Sequence, residues 1–136
     1  LAPPGAVAAD RPGDPAPVDA GWERTVTPDV INLFRFSALT FNAHRIHYDR
    51  RYATEVEGFP GLVVHGMFTA QCLIDLARDR LPGVRFTGFS FRAGAPLFEG
   101  QPIRLLGRHC AADRRVDLWA VGPAGTVSMK AAVHHA

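Results

Sequence analysis

The chain has 136 residues, with 15 lysines and arginines against 13 aspartates and glutamates and a formal charge of +2 when histidine is neutral. That length holds one domain with a real core, and so small a charge excludes the long basic footprint of a nucleic-acid binder. No apolar run approaches the ~18 residues of a membrane helix, and the N-terminus lacks the basic segment and apolar run of a signal peptide.

Residues 1–21, "LAPPGAVAADRPGDPAPVDAG", are dominated by Pro, Ala, Gly and Asp. Such a stretch buries too little apolar surface to offset its ordering entropy, so it is expected to be a flexible arm or linker, with the domain in 22–136. A start at Leu1 leaves open a shortened chain or the C-terminal part of a longer one. From Trp22 a short strand is expected, followed by Thr27-Pro28-Asp29, where Thr27 could cap a helical turn with Pro28 at its first position. Val30, Ile31, Leu33, Phe34 and Phe36 follow without clean alternation, which leaves strand and helix both open. Tyr52 to Glu57 reads as a short helix closed by Gly58, and Phe59-Pro60-Gly61 as a turn.

"LVVHGMFTAQCLIDLARDRLPG" places Met67, Ala70, Leu73, Ile74 and Ala77 at helical offsets, with Pro82-Gly83 ending the helix. Few positions before Asp75 are charged, so other structure is expected to wrap most of its sides. The remainder reads as four strands separated by turns at Phe98-Glu99-Gly100, Ala112-Asp113-Arg114 and Gly122-Pro123-Ala124-Gly125. Val116, Leu118 and Ala120 alternate with Asp117 and Trp119, as in a strand with two distinct faces. A helix followed by an antiparallel meander gives an α+β class. Cys72 and Cys110 follow neither a metal-ligand nor a framework spacing, suit small buried thiols, and point to a reducing cytoplasm.

"FSALTFNAHRIHYD", "YATEVEGFPGLVVHGMFTAQCL" and "FSFRAGAPLFEGQPIRL" occur in that order. Together they resemble the MaoC-like hot-dog dehydratases and hydratases, within them the branch of the type 2 hydroxyacyl-thioester dehydratases and mesaconyl-CoA hydratases. The likeness covers most of the chain from Trp22 onwards. It implies a hot-dog fold, a curved antiparallel sheet wrapped around a long central helix, and reversible hydration of a 2-enoyl-CoA or dehydration of a 3-hydroxyacyl-CoA. The wider family carries an aspartate and a histidine that contact the reacting water. Here His47 falls at the histidine position and Asn42 at the aspartate position, with His44 where many relatives have asparagine.

A neutral imidazole can take a proton from water and return it, so the resemblance makes His47 the acid/base. Asn42 has no basic group and would orient the water. Charge developing on the thioester oxygen needs preorganised donors, and Gly66, at a helix N-terminus, would offer its N–H to a carbonyl that approaches closely. His65 and His44 are expected beside the substrate. The mesaconyl-like resemblance points to a short branched or dicarboxylic acyl group, whose free carboxylate Arg45 or Arg92 could meet.

Three other readings were weighed. A hot-dog thioesterase would use the same Gly66 donor but attack the carbonyl carbon. A non-catalytic binding half would serve only to complete a tunnel. His44, His47 and His65 lack the paired-ligand signature of a zinc site, so no metal is expected and coenzyme A enters only as part of the substrate. Arg50-Arg51 and Arg114-Arg115 could reach phosphates but read more simply as solvated surface, and Cys72 has no positioned base to activate it. A lone hot-dog unit leaves an open sheet edge, so a homodimer or pairing with a second hot-dog domain is expected, with an acyl-CoA or acyl carrier protein thioester as ligand and neither nucleic acid nor membrane as partner.

Overall fold

The computed structural model describes residues 14–136. Five strands, β1 (Trp22–Val26), β2 (Phe86–Ala93), β3 (Ile103–Cys110), β4 (Arg115–Val121) and β5 (Val127–His135), accompany two helices, α1 (Val30–Thr40) and α2 (Gly66–Arg80). The strands form one sheet in the order β1-β3-β4-β5-β2, and every neighbouring pair is antiparallel. Register shifts at Phe86/Gly88 and Ala120/Val121 introduce the irregularities that bend a sheet. On its inner face α2 packs against β3, β4 and β5. No helix among the described residues is long and apolar enough to cross a membrane.

The period-two reading of the strands explains the core. Ile103 and Leu105, Val116 and Leu118, and Met129, Ala131 and Val133 all face inwards, where Ala70, Leu73, Leu76 and Ala77 of α2 meet them. The helical stripe differs from expectation at its start. Met67 is exposed and Thr69 and Ala70 are the first buried positions, so α2 enters the core two residues later than its apolar residues suggest. One stripe of α2, Met67, Gln71, Asp75 and Arg78, stays exposed, while Thr69, Ala70, Leu73, Leu76 and Ala77 are buried and Phe68, Cys72 and Ile74 half-buried.

The segment before the site is a helix. Asp29, not Thr27, is its cap: the Asp29 carboxylate accepts from the Asn32 N–H at 2.8 Å while Asn32 Oδ1 accepts from the Asp29 N–H at 2.9 Å. This reciprocal box satisfies two donors that would otherwise lack partners. Pro28 lies just outside the helix, buried, with its carbonyl accepting from Gly100 N–H. Phe41 ends α1 in the left-handed region, φ 54°. The short turn expected near Tyr52 is a single π-helical turn, Tyr52–Val56, and Gly58 follows at φ 76°.

The outer sheet face is also partly covered. Leu106, Trp119, Val121 and Val127 form a second cluster, against which Ala16 and Ala20 pack. Val127 N–H donates to the Asp14 carbonyl, and Arg108 pairs with Asp19 at 2.7 Å. Residues 14–20 of the expected arm therefore lie against the sheet, where the apolar outer side of β4 gives them a surface. The rest of that arm, 1–13, is outside the described residues.

Gly107 of β3 lies directly opposite Trp22 of the edge strand β1. A Cβ there would come within 2.8 Å of Trp22 Cε3 and 3.1 Å of Leu118 Cδ2. Gly107→Ala is expected to lower the free energy of unfolding by about 1–3 kcal/mol through overpacking, read from urea denaturation midpoints.

Candidate active site

The loop after α1 is organised by its own polar side chains. Asn42 Oδ1 accepts from His44 N–H at 3.1 Å, and His44 Nδ1 accepts a longer bond, 3.4 Å, from Ile46 N–H. These short-range bonds mimic a backbone turn and set up the 3₁₀ turn Arg45–His47. The turn is then fastened to Val63, whose N–H donates to the Ile46 carbonyl at 2.9 Å and whose carbonyl accepts from His47 Nδ1 at 2.7 Å. Because a carbonyl only accepts, His47 Nδ1 carries the hydrogen and Nε2 is left as the lone-pair nitrogen.

His47 is buried, and its ring stacks on that of His65 with centroids 3.8 Å apart and 19° between planes. Burial holds the His47 pKa below the ordinary imidazole value; the Val63 bond opposes this and the nearby His44 reinforces it. His65 is pushed down to about 4, first by burial and then by the adjacent His47. Both rings are therefore neutral near pH 7. His65 Nε2 lies 2.7 Å from Ser37 Oγ of α1.

His47 and Gly66 line one cavity of about 200 Å³, together with Val63, Val64, Thr69, Met129 and the 93–97 segment. Gly66 begins α2, whose first N–H groups have no intrahelical partners. A Cβ at Gly66 would meet nothing within 4 Å, and its φ is not positive, so neither packing nor backbone conformation demands glycine. What its missing side chain leaves is open space above backbone donors. The cavity thus brings together a neutral imidazole and the positive end of a helix.

The other expected residues divide. Asn42 lines a neighbouring hollow of about 330 Å³ with Phe34, Ser37, Phe41 and Tyr48, and its carboxamide oxygen is committed to the His44 turn. His44 lies beside His47, ring centroids 5.8 Å apart. Arg45 is held away by an ion pair to Asp49 at 2.9 Å and by stacking over the Tyr52 ring. Arg92 lines a hollow with Asp117 and Lys130, whereas its neighbour Ala93 reaches the His47 cavity; alternation along β2 puts them on opposite faces. Arg50 pairs with Glu99, Arg51 with Glu55 and Arg115 with Asp117. The Cys72 thiol is pushed up to about 11, chiefly by burial, and is no nucleophile at neutral pH. Ser37 and the Val63 carbonyl were not anticipated; a single serine amid the apolar residues of α1 was the visible signal for the first.

The sheet order around α2 is that of a hot-dog fold, and the (R)-hydratase of A. caviae involved in PHA biosynthesis superposes with a TM-score of 0.71 at 18% identity, covering 85% of this chain and 94% of that one. The family described as hydroxyacyl-thioester dehydratase type 2 matches residues 4–99. The chain is 53% identical over 131 residues to mesaconyl-C(4)-CoA hydratase of Chloroflexus aurantiacus, covering 96% of this chain and 46% of that protein. It is 40% identical over 81 residues to the mitochondrial type 2 hydroxyacyl-thioester dehydratase of Schizosaccharomyces pombe, covering 58% and 27%. The chain therefore belongs to the type 2 hydroxyacyl-thioester dehydratase family of MaoC-like hot-dog proteins, and it spans less than half the length of these two relatives.

The buried His65 makes stability depend on pH. Its folded pKa, about 4, lies below that of the unfolded chain, near 6.5, so the unfolded state binds more protons between those values. The stabilisation is complete above pH 6.5 and is lost as pH falls towards 4. Urea unfolding is expected to show a loss of order 2–3 kcal/mol between pH 7 and 4.5, with a shallower slope in His65→Phe.

Proposed function

We propose that the chain hydrates a 2-enoyl-CoA, and in reverse dehydrates a 3-hydroxyacyl-CoA, with His47 as acid/base. The observation that carries this reading is the His47 tautomer, locked by Val63 and placed in the same cavity as Gly66. Water gives a proton to His47 Nε2 as its oxygen bonds to C3 of the enoyl group. The double-bond electrons move to the thioester oxygen, where Gly66 N–H holds the charge, and the imidazolium then returns its proton to C2. Asn42 lines the adjoining hollow with its oxygen engaged by His44 N–H, so its part in this reading is to hold the turn that carries His47. The net change is addition of OH at C3 and H at C2, and it calls on no redox group.

The similarity to mesaconyl-C(4)-CoA hydratase supports a short branched or dicarboxylic acyl group, and a cavity of about 200 Å³ is in keeping with a short one. Its lining contains hydroxyls, Thr69 and Ser128, but no cationic side chain. In this reading the counter-charge for a free carboxylate comes from a paired unit. Pairing is also supported by β2, which among the described residues has a strand neighbour, β5, on one edge alone, and by α1 with its following turn, where Ile31 is 58% exposed, Phe34 62%, Leu39 80% and Phe41 93%. A second hot-dog unit, another copy or a separate domain, would cover both.

Hydration of crotonyl-CoA and mesaconyl-CoA, followed as loss of the conjugated thioester absorbance, tests the reaction. His47→Ala is expected to lower the rate by about 10²–10⁴-fold. Gly66→Ala should lose activity while keeping or slightly raising its melting temperature, because the added methyl obstructs only the open space. Release of free coenzyme A without hydration would mark a thioesterase instead. Sedimentation velocity is expected to give a dimer at micromolar concentration; a monomer with full activity overturns the pairing.

A further inference from the structure

Ser37 and His65 take no part in the proton transfers above, yet both are buried and joined to the base. One side of His65 lies against His47 and another against the Phe36 ring, 4.8 Å away at 60°. Its Nε2 meets Ser37 Oγ at 2.7 Å, while its Nδ1 is buried without a partner. A buried orphan N–H is rarer than an orphan acceptor. Nε2 therefore carries the hydrogen and donates to Ser37, and the orphan at Nδ1 is a lone pair. Protonating His65 would bury an unmatched N–H beside His47.

The anchor to Val63 fixes one nitrogen of His47 and leaves the ring free to turn about that bond. A flat neighbour at stacking distance removes this freedom. We propose that Ser37 and His65 are positioning residues for His47: Ser37 sets the plane of the His65 ring, and His65 sets the plane of the base. This role rests on the hydratase reading for its consequence in catalysis but not for its geometry. The groups that face His47 are few. His44 lies beside it from its own loop, His65 covers it from the start of α2, Val63 offers backbone alone, and α1 contributes the uncharged Ser37 and Phe36 behind His65.

Ser37→Ala removes the tether and Ser37→Thr keeps a hydroxyl. With thermal unfolding confirming a folded chain, Ser37→Ala is expected to lower kcat by about 10–100-fold through misplacement of the base, with KM within threefold (~3). The acid limb of the kcat profile should move to higher pH as water reaches the loosened ring. Ser37→Thr should restore both. In parallel, long-range ¹H–¹⁵N spectra of the histidine rings read the tautomer and titration midpoint of His47 without any assay. The Nδ1–H form should dominate in both, because Val63 holds it, while the titration midpoint should rise in Ser37→Ala. An unchanged His47 midpoint in Ser37→Ala overturns the positioning role even if the chain proves to hydrate nothing. An inactive wild type, or an active His47→Ala, with the expected spectral change instead overturns the hydratase reading and leaves the positioning intact.

Discussion

The Val63 peptide is the constraint on which the site depends. Its N–H holds the Ile46 carbonyl and its carbonyl holds His47 Nδ1, while the residues either side, Leu62 and Val64, bond to Glu99 and Leu97. One extended rung therefore ties the histidine turn to the segment that lines the cavity. Backbone groups suit this task because buried amides must find partners in any case. The acid-base state of His47 is consequently a property of strand-like hydrogen bonding as much as of the imidazole.

The two cavities flanking this rung have different chemistry. One holds His47, Gly66 and small apolar residues; the other is built mainly from α1 and the turn after it, with Asn42 at its wall. Ser37 lines the second and bonds to His65, which stacks on His47 of the first. Neither lining includes a lysine or arginine, and Arg45, Arg50 and Arg51 are engaged with carboxylates. A substrate would meet neutral dipoles and hydrogen-bonding groups, and the field at the thioester oxygen would come chiefly from the end of α2.

Much of this was legible in the sequence. The four later strands and the end of α2 follow from alternation and from turn residues. Of the residues singled out by resemblance, His47 and Gly66 line one cavity, whereas Asn42 lines the adjoining one. α1 was ambiguous for a physical reason: its outward face is apolar too, so Val30, Ile31 and Phe34 fill the gaps that would have shown a helical period. Its Asp29 and Asn32 box was present but overshadowed by Thr27-Pro28. Arg45 has Asp49 one helical turn away, and Arg92 has the opposite parity to Ala93, so both could have been set aside from the cavity by pairing and alternation. The Val63 carbonyl has no residue type to advertise it.

Phe41 combines two unfavourable features in one residue. Its left-handed backbone costs an ordinary side chain roughly 1–2 kcal/mol, and its ring is 93% exposed. Glycine would relieve both at once. The turn that leads into the site is thus held away from the stability optimum of the isolated unit. Any surface that covered this ring would recover apolar burial without having to create the strained turn, so ordering of the loop and occupation of its outer side are thermodynamically linked.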